Sequence, residues 1–509
     1  MSGKVSGRFD ALPDEMLRGM KRGIEKESLR ARPDGSLATT PHPAALGSAL
    51  THPNITTDFS ESQLELITGA HPSVEEMLEE LTEIHQFVLN ELEDEVLWAS
   101  SMPCQLPADG DIPLGRYGTS NVGRAKTIYR SGLSYRYGRR MQAISGIHYN
   151  WSVPGRSNED YFALLRTFRR HAWLLFYLFG ASPAVCASFV EGRKHGLQEL
   201  QPGTMYLPHA TSLRMGRLGY QSDAQSSIAV SYNSLEDYGA SLQEALTKPY
   251  APYEKIGIRD GNEYKQLSTT LLQIENEFYG KIRPKRRIKT GERPLHALRD
   301  RGVEYVEVRL MDLDPFSPIG ITPQTCRMLD VFLLDCLTRE SPRDTPAEIA
   351  AINRNQERVA QRGREPGLKL ERSGNASDGE VHARQWGEEI LAECEPIARR
   401  LDKVFGGAAH ADALAAARRA LEDPESVPSA RVLHAMQRNH DGSFLRFALA
   451  QSLAHKGHLK NLPLDDAAER RFRDLAKGSL EMQRKLEAAD KVDFETFRKR
   501  YLDPAALKV

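Results

Sequence analysis

Residues 23–30 read GIEKESLR and residues 303–310 read VEYVEVRL, and the alternation within these two runs decides the fold class. Successive side chains of a strand point to opposite faces of a sheet. Glu25 and Glu27 therefore share a face of the first run. Tyr305, Glu307 and Arg309 share a face of the second, with Val306, Val308 and Leu310 opposite. Three more runs read as strands: QLELIT at 63–68, AISGIHYNWSV at 143–153 and LLQIENEFY at 271–279. In the first of these Glu65 points away from Leu64 and Leu66, and in the second Gly146, His148 and Asn150 alternate with Ile147, Tyr149 and Trp151. Strands separated by long, partly helical stretches predict an α+β fold around a mainly antiparallel sheet with one apolar and one polar face.

Outward from the strands, Ser73 and Glu76 have the spacing of a capping box, and Val74, Met77, Leu78, Leu81, Ile84 and Val88 recur at helical spacing behind them. Residues 363–380, GREPGLKLERSGNASDGE, are polar and Gly-rich and read as a surface loop. Beyond it Trp386, Ile390, Leu391, Cys394, Ile397, Leu401 and Val404 form one helical stripe, and ALAAARRALED and SARVLHAMQRN continue as short helices. The expected organisation is a main body over 1–362, the loop at 363–380, and a helical region over 381–509 packed on the body, because no long linker separates them.

The 509 residues carry 68 Lys and Arg against 69 Asp and Glu, so the net charge of -1 gives no whole-chain attraction to nucleic acid or to an anionic membrane. Five cysteines, Cys104, Cys186, Cys326, Cys336 and Cys394, contain no C-x-x-C pair. That argues against a zinc knuckle or a secreted disulfide framework and predicts reduced thiols in a cytoplasmic protein. The opening MSGKVSGRFDALPDEMLRGMKRG lacks the apolar core of a signal peptide. Residues 172–190 are uncharged over a membrane-spanning length. Gly180, Ser182 and Pro183 interrupt the run, so a buried helix, a turn and a strand are expected there and no membrane span.

Taken singly, each acidic residue of the polar strand faces fits a solvated surface, and so does His148. Convergence would change that, since two carboxylates ~6 Å apart at an effective dielectric of ~20 repel by roughly 3 kcal/mol. A converged cluster needs cations, and an oxygen-rich donor set suits Mg²⁺ or Mn²⁺ bridging to nucleotide phosphates. Two basic stretches could complete a phosphate site: 116–140, with seven basic residues, no acid and interleaved tyrosines, and GKIRPKRRIKTGER at 280–293. Both also fit a solvated face or a single-stranded nucleic-acid surface. Gly118 to Gly123 imitates a P-loop but lacks its Lys and its Ser or Thr, and H-E-x-x-H, G-x-S-x-G and G-x-G-x-x-G are absent.

Together GIEKESLR, SALTHPNITTDFSESQLELIT, GRYGTSNVGRAKTIYRSGLSYRYG, ISGIHYNWS, QIENEFYGKIRPKR and VEYVEVRLMDLDPFSPIG resemble the bacterial glutamate–cysteine ligases of the proteobacterial type 1 family. The resemblance spans residues 20 to 340 and continues more weakly through the helical C-terminal part. It implies a glutamine-synthetase-like catalytic fold, in which a curved, mainly antiparallel sheet ringed by helices forms an active-site funnel. It also implies an ATP-dependent carboxylate–amine ligase. Glutamate would be phosphorylated on its side-chain carboxylate and attacked by the cysteine amine, giving γ-glutamylcysteine, ADP and phosphate, the first step towards glutathione. Glutathione contains the product's γ-glutamylcysteine unit and is the implied feedback inhibitor.

Carried onto matching positions, the family's roles make Glu25, Glu27, Asp58, Glu65, His148 and Glu307 the magnesium set. Arg309 and Arg214 would bind substrate carboxylate or transferring phosphate, where a planar guanidinium suits paired oxygens. Phe59, Tyr129, Leu133, Gln142, Tyr220 and Tyr279 would line the cysteine pocket, and Arg283 and Lys285 would lie near the nucleotide phosphates. The stretch THPN before ITTDF, where some relatives carry an aromatic residue, departs from the pattern, as does 363–380.

Two other readings stay open at this level. One is a ligase that joins glutamate to a different amine. The other is a nucleic-acid-binding protein using 116–140, against which the neutral charge counts. The resemblance assigns no catalytic role to a cysteine. Replacing any one of the five by Ser should therefore leave ligase activity, and complete loss in a folded variant would contradict this.

Overall fold

The alternating runs do build one sheet in the computed structural model, which describes residues 12–219, 230–289, 292–372 and 379–503. Its strands are β1 (Lys21–Ala31), β2 (Ile55–Thr57), β3 (Gln63–Ile67), β4 (Val96–Leu97), β5 (Ile147–Ser152), β6 (Ile282–Lys285) and β7 (Tyr305–Met311). They run in the order β6-β7-β5-β1-β3-β2, with β4 added at the end of β1, and every pairing is antiparallel.

One face of the sheet is covered by helices α1 (Val74–Glu91), which packs on β1 and β3, and a long helix at Asn158–Phe179, which packs on β6 and β7. Leu64, Leu66, Ile147, Tyr149, Trp151, Val306 and Val308 are buried there, each worth roughly 1.5–3 kcal/mol of transfer free energy if an aliphatic side chain is fully buried. The covered face of β1 also takes a charge-bearing residue. Lys26 is buried, with its Nζ 2.7 Å from Ser28 Oγ and 2.9 Å from His85 Nε2, and burial pushes its pKa down to about 7. Helix α2 (Asn121–Tyr137) lies on the polar side, and the Asn158–Phe179 helix is α3.

The α1 stripe is buried as its spacing predicts. Its capping box is only half formed: Ser73 Oγ accepts from the Glu76 N–H at 3.1 Å, while the Glu76 carboxylate lies 3.7 Å from His71 instead of reaching back to Ser73. The uncharged run at 172–190 becomes the buried end of α3, a turn at Gly180, a short strand Ala184–Cys186 and a four-residue helix. No described helix is long and apolar enough to cross a membrane.

Three expectations need correction. LLQIENEFY is not a strand but a loop with a 3-10 turn at Glu275–Glu277. Its alternating acids point inward to buried cations: Glu277 accepts from Arg136 at 2.9 Å and from the Gln273 N–H at 2.7 Å, and Glu275 pairs with Arg293 at 2.5 Å. These bonds take the place of a ladder, and the strand starts later, at Ile282. Within 363–380, strand β8 (Lys369–Glu371) pairs with β9 (Glu380–His382), so the stretch holds one arm of a hairpin, pinned by buried Leu370 and by Arg354 and Arg358 on Glu371. Residues 373–378 lie outside the described ones. Cys104 and Cys186 are not free thiols but a disulfide, with Cα atoms 5.2 Å apart. They are 82 residues apart in the chain, a spacing that carries no motif. Cys326, Cys336 and Cys394 are buried thiols.

Behind the sheet helices come α4 (Pro323–Thr338), α5 (Pro346–Arg362), α6 (Ala383–Phe405) and α7 (Ala409–Glu422), followed by α8 (Pro428–Asn439), α9 (Phe444–Asn461), α10 (Asp466–Ala489) and α11 (Phe494–Tyr501). The α6 stripe packs against α4 and α7, and one apolar cluster runs from Leu12 through the strands to Phe472, so the C-terminal helices share the core of the sheet.

β1 is tied to α4 by an ion pair without water access. Arg22 Nε lies 2.7 Å from Asp330, whose other oxygen accepts from Tyr149 OH at 3.0 Å, and both charged residues are essentially unexposed. Asp330→Ala should therefore lower unfolding stability by about 3–5 kcal/mol, as expected when a buried charge loses its partner. Urea unfolding of the variant checks this, and a double replacement of Arg22 and Asp330 by apolar residues should recover part of the loss.

Candidate functional site

Cross-strand register places the polar side chains. On β1, Glu25 stands opposite His148 of β5, and Glu27 stands opposite Glu65 of β3. On β7, Glu307 stands opposite Asn150 of β5 on one side and Arg283 of β6 on the other. Directly opposed residues have Cβ atoms about 4.5–5.5 Å apart, so the register alone forces these groups together. A register shift between Val308 and Met311 falls at Arg309, the kind of irregularity that re-aims a side chain.

The contacts are short. His148 Nδ1 is 3.0 Å from Glu25 Oε2, and Asn150 donates to the other Glu25 oxygen at 3.0 Å. Glu27 accepts from the Gly146 N–H at 2.7 Å and lies 3.5 Å from His148 Nε2. Lys285 Nζ donates to Glu307 at 3.0 Å and Arg309 to its second oxygen at 3.1 Å. One ligand atom each from Glu25, His148 and Glu307 fall within 4.8 Å of one another. Asp58 and Glu65 line the same cavity, and among the described residues their carboxylates make no hydrogen bond or ion pair.

The charges separate into two groups. Burial alone would raise the pKa of both Glu25 and Glu307. The His148 hydrogen bond and Lys285 nevertheless hold Glu25 below the usual range, and Lys285 and Arg309 hold Glu307 well below it. Glu27 is pushed up to about 8 by burial and by Asp58, and Glu65 is raised well above the usual range by burial and by Glu25, Asp58 and Glu27. Burial and Arg309 lower His148. This cluster holds more carboxylate than its side-chain cations neutralise, and carboxylate oxygens with one imidazole are a donor set that fits a divalent cation.

The cavity that contains these residues measures ≈ 340 Å³, within the range of small-molecule pockets. Phe59, Tyr129, Leu133, Gln142 and Tyr279 line it together with Arg283, Lys285 and Arg309. Gln142 donates to Tyr279 OH at 2.6 Å, and Arg283 is anchored on the Asn276 carbonyl at 3.0 Å. Arg214 stands apart from the lining. It is 1% exposed, donates to the Arg309 carbonyl at 3.0 Å, lies 3.7 Å from Asp312, and packs flat on Gly146, where any added Cβ would collide with its guanidinium. Tyr220 lies outside the described residues.

Two lining residues belong to the basic run 116–140 without having been singled out from it, and two more carry no sequence signal. Lys126 and Arg130 project from α2 into the cavity, with Arg130 donating to the Asp58 carbonyl and lying 4.4 Å over the Tyr117 ring. The basic run 116–140 signalled their type, while helical spacing would have shown that Lys126, Tyr129, Arg130 and Leu133 share a face. Phe497 and Tyr501 of α11 also line the cavity, and nothing near them in sequence signals a site.

Comparison with known proteins bears on the same residues. The glutamate-cysteine ligase family model matches residues 9–359. A glutamate–cysteine ligase of Alcanivorax borkumensis is 47% identical, covering 95% of this chain and 96% of its own length, and one of Pseudomonas fluorescens is 48% identical, covering 93% and 92%. The crystal structure of a Francisella tularensis glutamate–cysteine ligase in complex with AMP superposes with a TM-score of 0.90 at 36% identity, covering 96% of this chain and 98% of that one. The mixed architecture, with its antiparallel sheet and helical C-terminal region, is thus shared over 96% of this chain. The chain belongs to the glutamate–cysteine ligase family.

Proposed function

We propose that the protein joins the γ-carboxylate of L-glutamate to the amine of L-cysteine at the expense of ATP, releasing γ-glutamylcysteine, ADP and phosphate in the cytosol. Family membership supports the reaction. The observation that carries its placement is the convergence of Glu25, His148 and Glu307 within 4.8 Å, beside Lys285 and Arg309, in one cavity.

The chemistry divides into two displacements. A γ-carboxylate oxygen of glutamate attacks the γ-phosphorus of ATP and ADP leaves. The cysteine amine then attacks the acyl carbon of γ-glutamyl phosphate, phosphate leaves with the bridging oxygen, and the nitrogen loses a proton. Neither step needs an enzyme nucleophile, so acceleration comes from positioning and charge neutralisation. Mg²⁺, or Mn²⁺ in its place, held by Glu25, Glu27, Asp58, Glu65, His148 and Glu307, would supply the neutralisation of phosphate oxygens.

Lys285 and Arg283 bind nucleotide phosphate, and Arg309 binds the transferring phosphoryl group. Arg214, buried behind Gly146, holds the Arg309 backbone and so positions Arg309 without reaching substrate. Phe59, Tyr129, Leu133, Gln142 and Tyr279 form the cysteine pocket, where aromatic walls favour a polarizable thiol and limit larger side chains. Glutathione carries both subsite groups and competes for them.

The decisive assay follows ADP release with ATP, Mg²⁺ and L-glutamate, with and without L-cysteine, alongside mass detection of the dipeptide. Cysteine-dependent ADP matched by γ-glutamylcysteine is the expected result. Preferential use of 2-aminobutyrate or a simple polyamine would overturn the acceptor assignment. In the same assay Glu27→Gln should cut turnover by on the order of 10²-fold or more, with the fold retained, because the amide oxygen can still accept from Gly146 but carries no charge. Near-normal turnover would remove Glu27 from the metal set.

A further inference from the structure

Behind the sheet, α3, α4 and α7 border a second cavity. It measures ≈ 500 Å³, within the range of small-molecule pockets, and shares no lining residue with the sheet cavity. Ala413, Ala416, Ala417 and Ala420 of α7 line it at i, i+3, i+4 and i+7, one face of a helix. Side chains that short leave the space towards Phe179 of α3 and Met328 of α4 unfilled, and the wall they form is apolar.

Charged groups border this apolar wall. Asp314 is partly buried, and one of its carboxylate oxygens accepts from the Phe316 N–H at 3.0 Å. Among the described residues the other oxygen has no hydrogen-bond partner. Burial raises the Asp314 pKa, against the Phe316 hydrogen bond and the nearby Arg431 guanidinium. Arg431 Cζ sits 4.1 Å over the Phe316 ring, and among the described residues neither Arg431 nor the other lining arginine, Arg419, forms an ion pair. Glu422 and Asp423 line the cavity as well and are exposed, so a simple anion meets repulsion beside its attraction to the arginines.

The free Asp314 oxygen suits an ammonium, and the guanidinium braced on Phe316 suits a carboxylate. Asp314 and Arg431 lie within electrostatic reach of each other, so a ligand that carries both charges on one carbon can meet both. We propose that this groove is a second ligand site that takes an α-amino acid with a large apolar side chain, its ammonium on Asp314, its carboxylate on Arg431 and its side chain over the α7 alanines. Such an occupant would rest on the chain that leaves β7. Asp314 follows Arg309 by five residues, and between them Asp312 accepts from the Ala181 N–H at 2.9 Å and lies 3.7 Å from Arg214. One segment therefore lines the sheet cavity at Arg309 and the groove at Asp314.

L-Phenylalanine is the probe, with 3-phenylpropionate, which lacks the amine, and 2-phenylethylamine, which lacks the carboxylate. Equilibrium dialysis against the full chain, with MgADP and γ-glutamylcysteine in excess, should show saturable binding of phenylalanine. Each analogue should bind at least about tenfold more weakly, the loss expected for one charge-assisted hydrogen bond. Asp314→Asn, which can still accept from the Phe316 N–H, and Arg431→Gln should weaken phenylalanine by a similar factor. Ala416 is partly exposed, so Ala416→Phe should fill the groove without entering the core and abolish binding while touching neither charge. No saturable binding up to about 10 mM, or binding unchanged in Ala416→Phe, would overturn the site. Equal binding of phenylalanine and either analogue would overturn the assignment of an amino acid. Neither result depends on the ligase reading.

Discussion

Glu27 and Glu65 face each other on adjacent hydrogen-bonded strands, and two like charges in that position repel. The rest of the molecule is arranged around holding them there. A one-residue slip of β1 would relieve the repulsion by turning both Glu25 and Glu27 to the other face, but it would also pull Ile24 and Lys26 out of their buried positions. Ile24 is fully buried, and Lys26 is fixed by Ser28 and His85. Arg22 on the same strand is locked to Asp330 of α4. Register is therefore specified from the covered face, and on the other face burial first and the neighbouring acids second hold Glu27 and Glu65 above the usual carboxylate range.

This division explains why the site sits on strands rather than loops. A cluster of uncompensated acids would drift apart on mobile segments, whereas paired strands fix Glu25, Glu27, Glu65 and Glu307 through the backbone hydrogen bonds of the ladder. Gly146 contributes in two ways. Its N–H donates to Glu27, and its missing side chain lets the Arg214 guanidinium lie against the backbone. Arg214 then supports the Arg309 carbonyl at the point where β7 loses its regular register. Backbone geometry and charge placement are coupled through that one contact.

Much of this was legible because strand alternation is a local property. Period two alone puts Glu25 and Glu27, His148 and Asn150, and Glu307 and Arg309 on polar faces, and the structure brings all but Asn150 to one cavity, with Asn150 donating to Glu25. Alternation misled at LLQIENEFY, where Glu275 and Glu277 repeat every second residue but are satisfied by Arg293 and Arg136 rather than by a strand partner. The Cys104–Cys186 link and the hairpin pairing of Leu370 with Val381 depend on contacts distant in sequence or hidden in a polar stretch. Burial of Arg214 behind Gly146 is likewise a tertiary fact, since SLRM looks the same whether its arginine faces substrate or backbone. The aromatic stripe on α11 reads in sequence as an ordinary amphipathic helix, and only the tertiary structure shows Phe494 and Phe497 packing on Ala125 and Ile128 of α2.

The distribution of charge gives the cavity a direction. Lys285, Arg283 and Arg309 come from β6 and β7 and gather around Glu307, so that side of the sheet is cation-rich and its carboxylates titrate low. Glu27, Glu65 and Asp58 come from β1, β3 and the segment between β2 and β3, where among the described residues no lysine or arginine forms an ion pair with them and where burial holds Glu27 and Glu65 above the usual carboxylate range. A polyphosphate is attracted to the first side and repelled by the second unless divalent cations cover the acids. In the ligase reading proposed above, divalent cations held by Glu27, Asp58 and Glu65 would let the terminal phosphates of a nucleotide approach the β1–β3 side, and metal and nucleotide would then bind together. Without such cations a polyphosphate would be drawn to the β6 and β7 edge, where Lys285, Arg283 and Arg309 gather around Glu307.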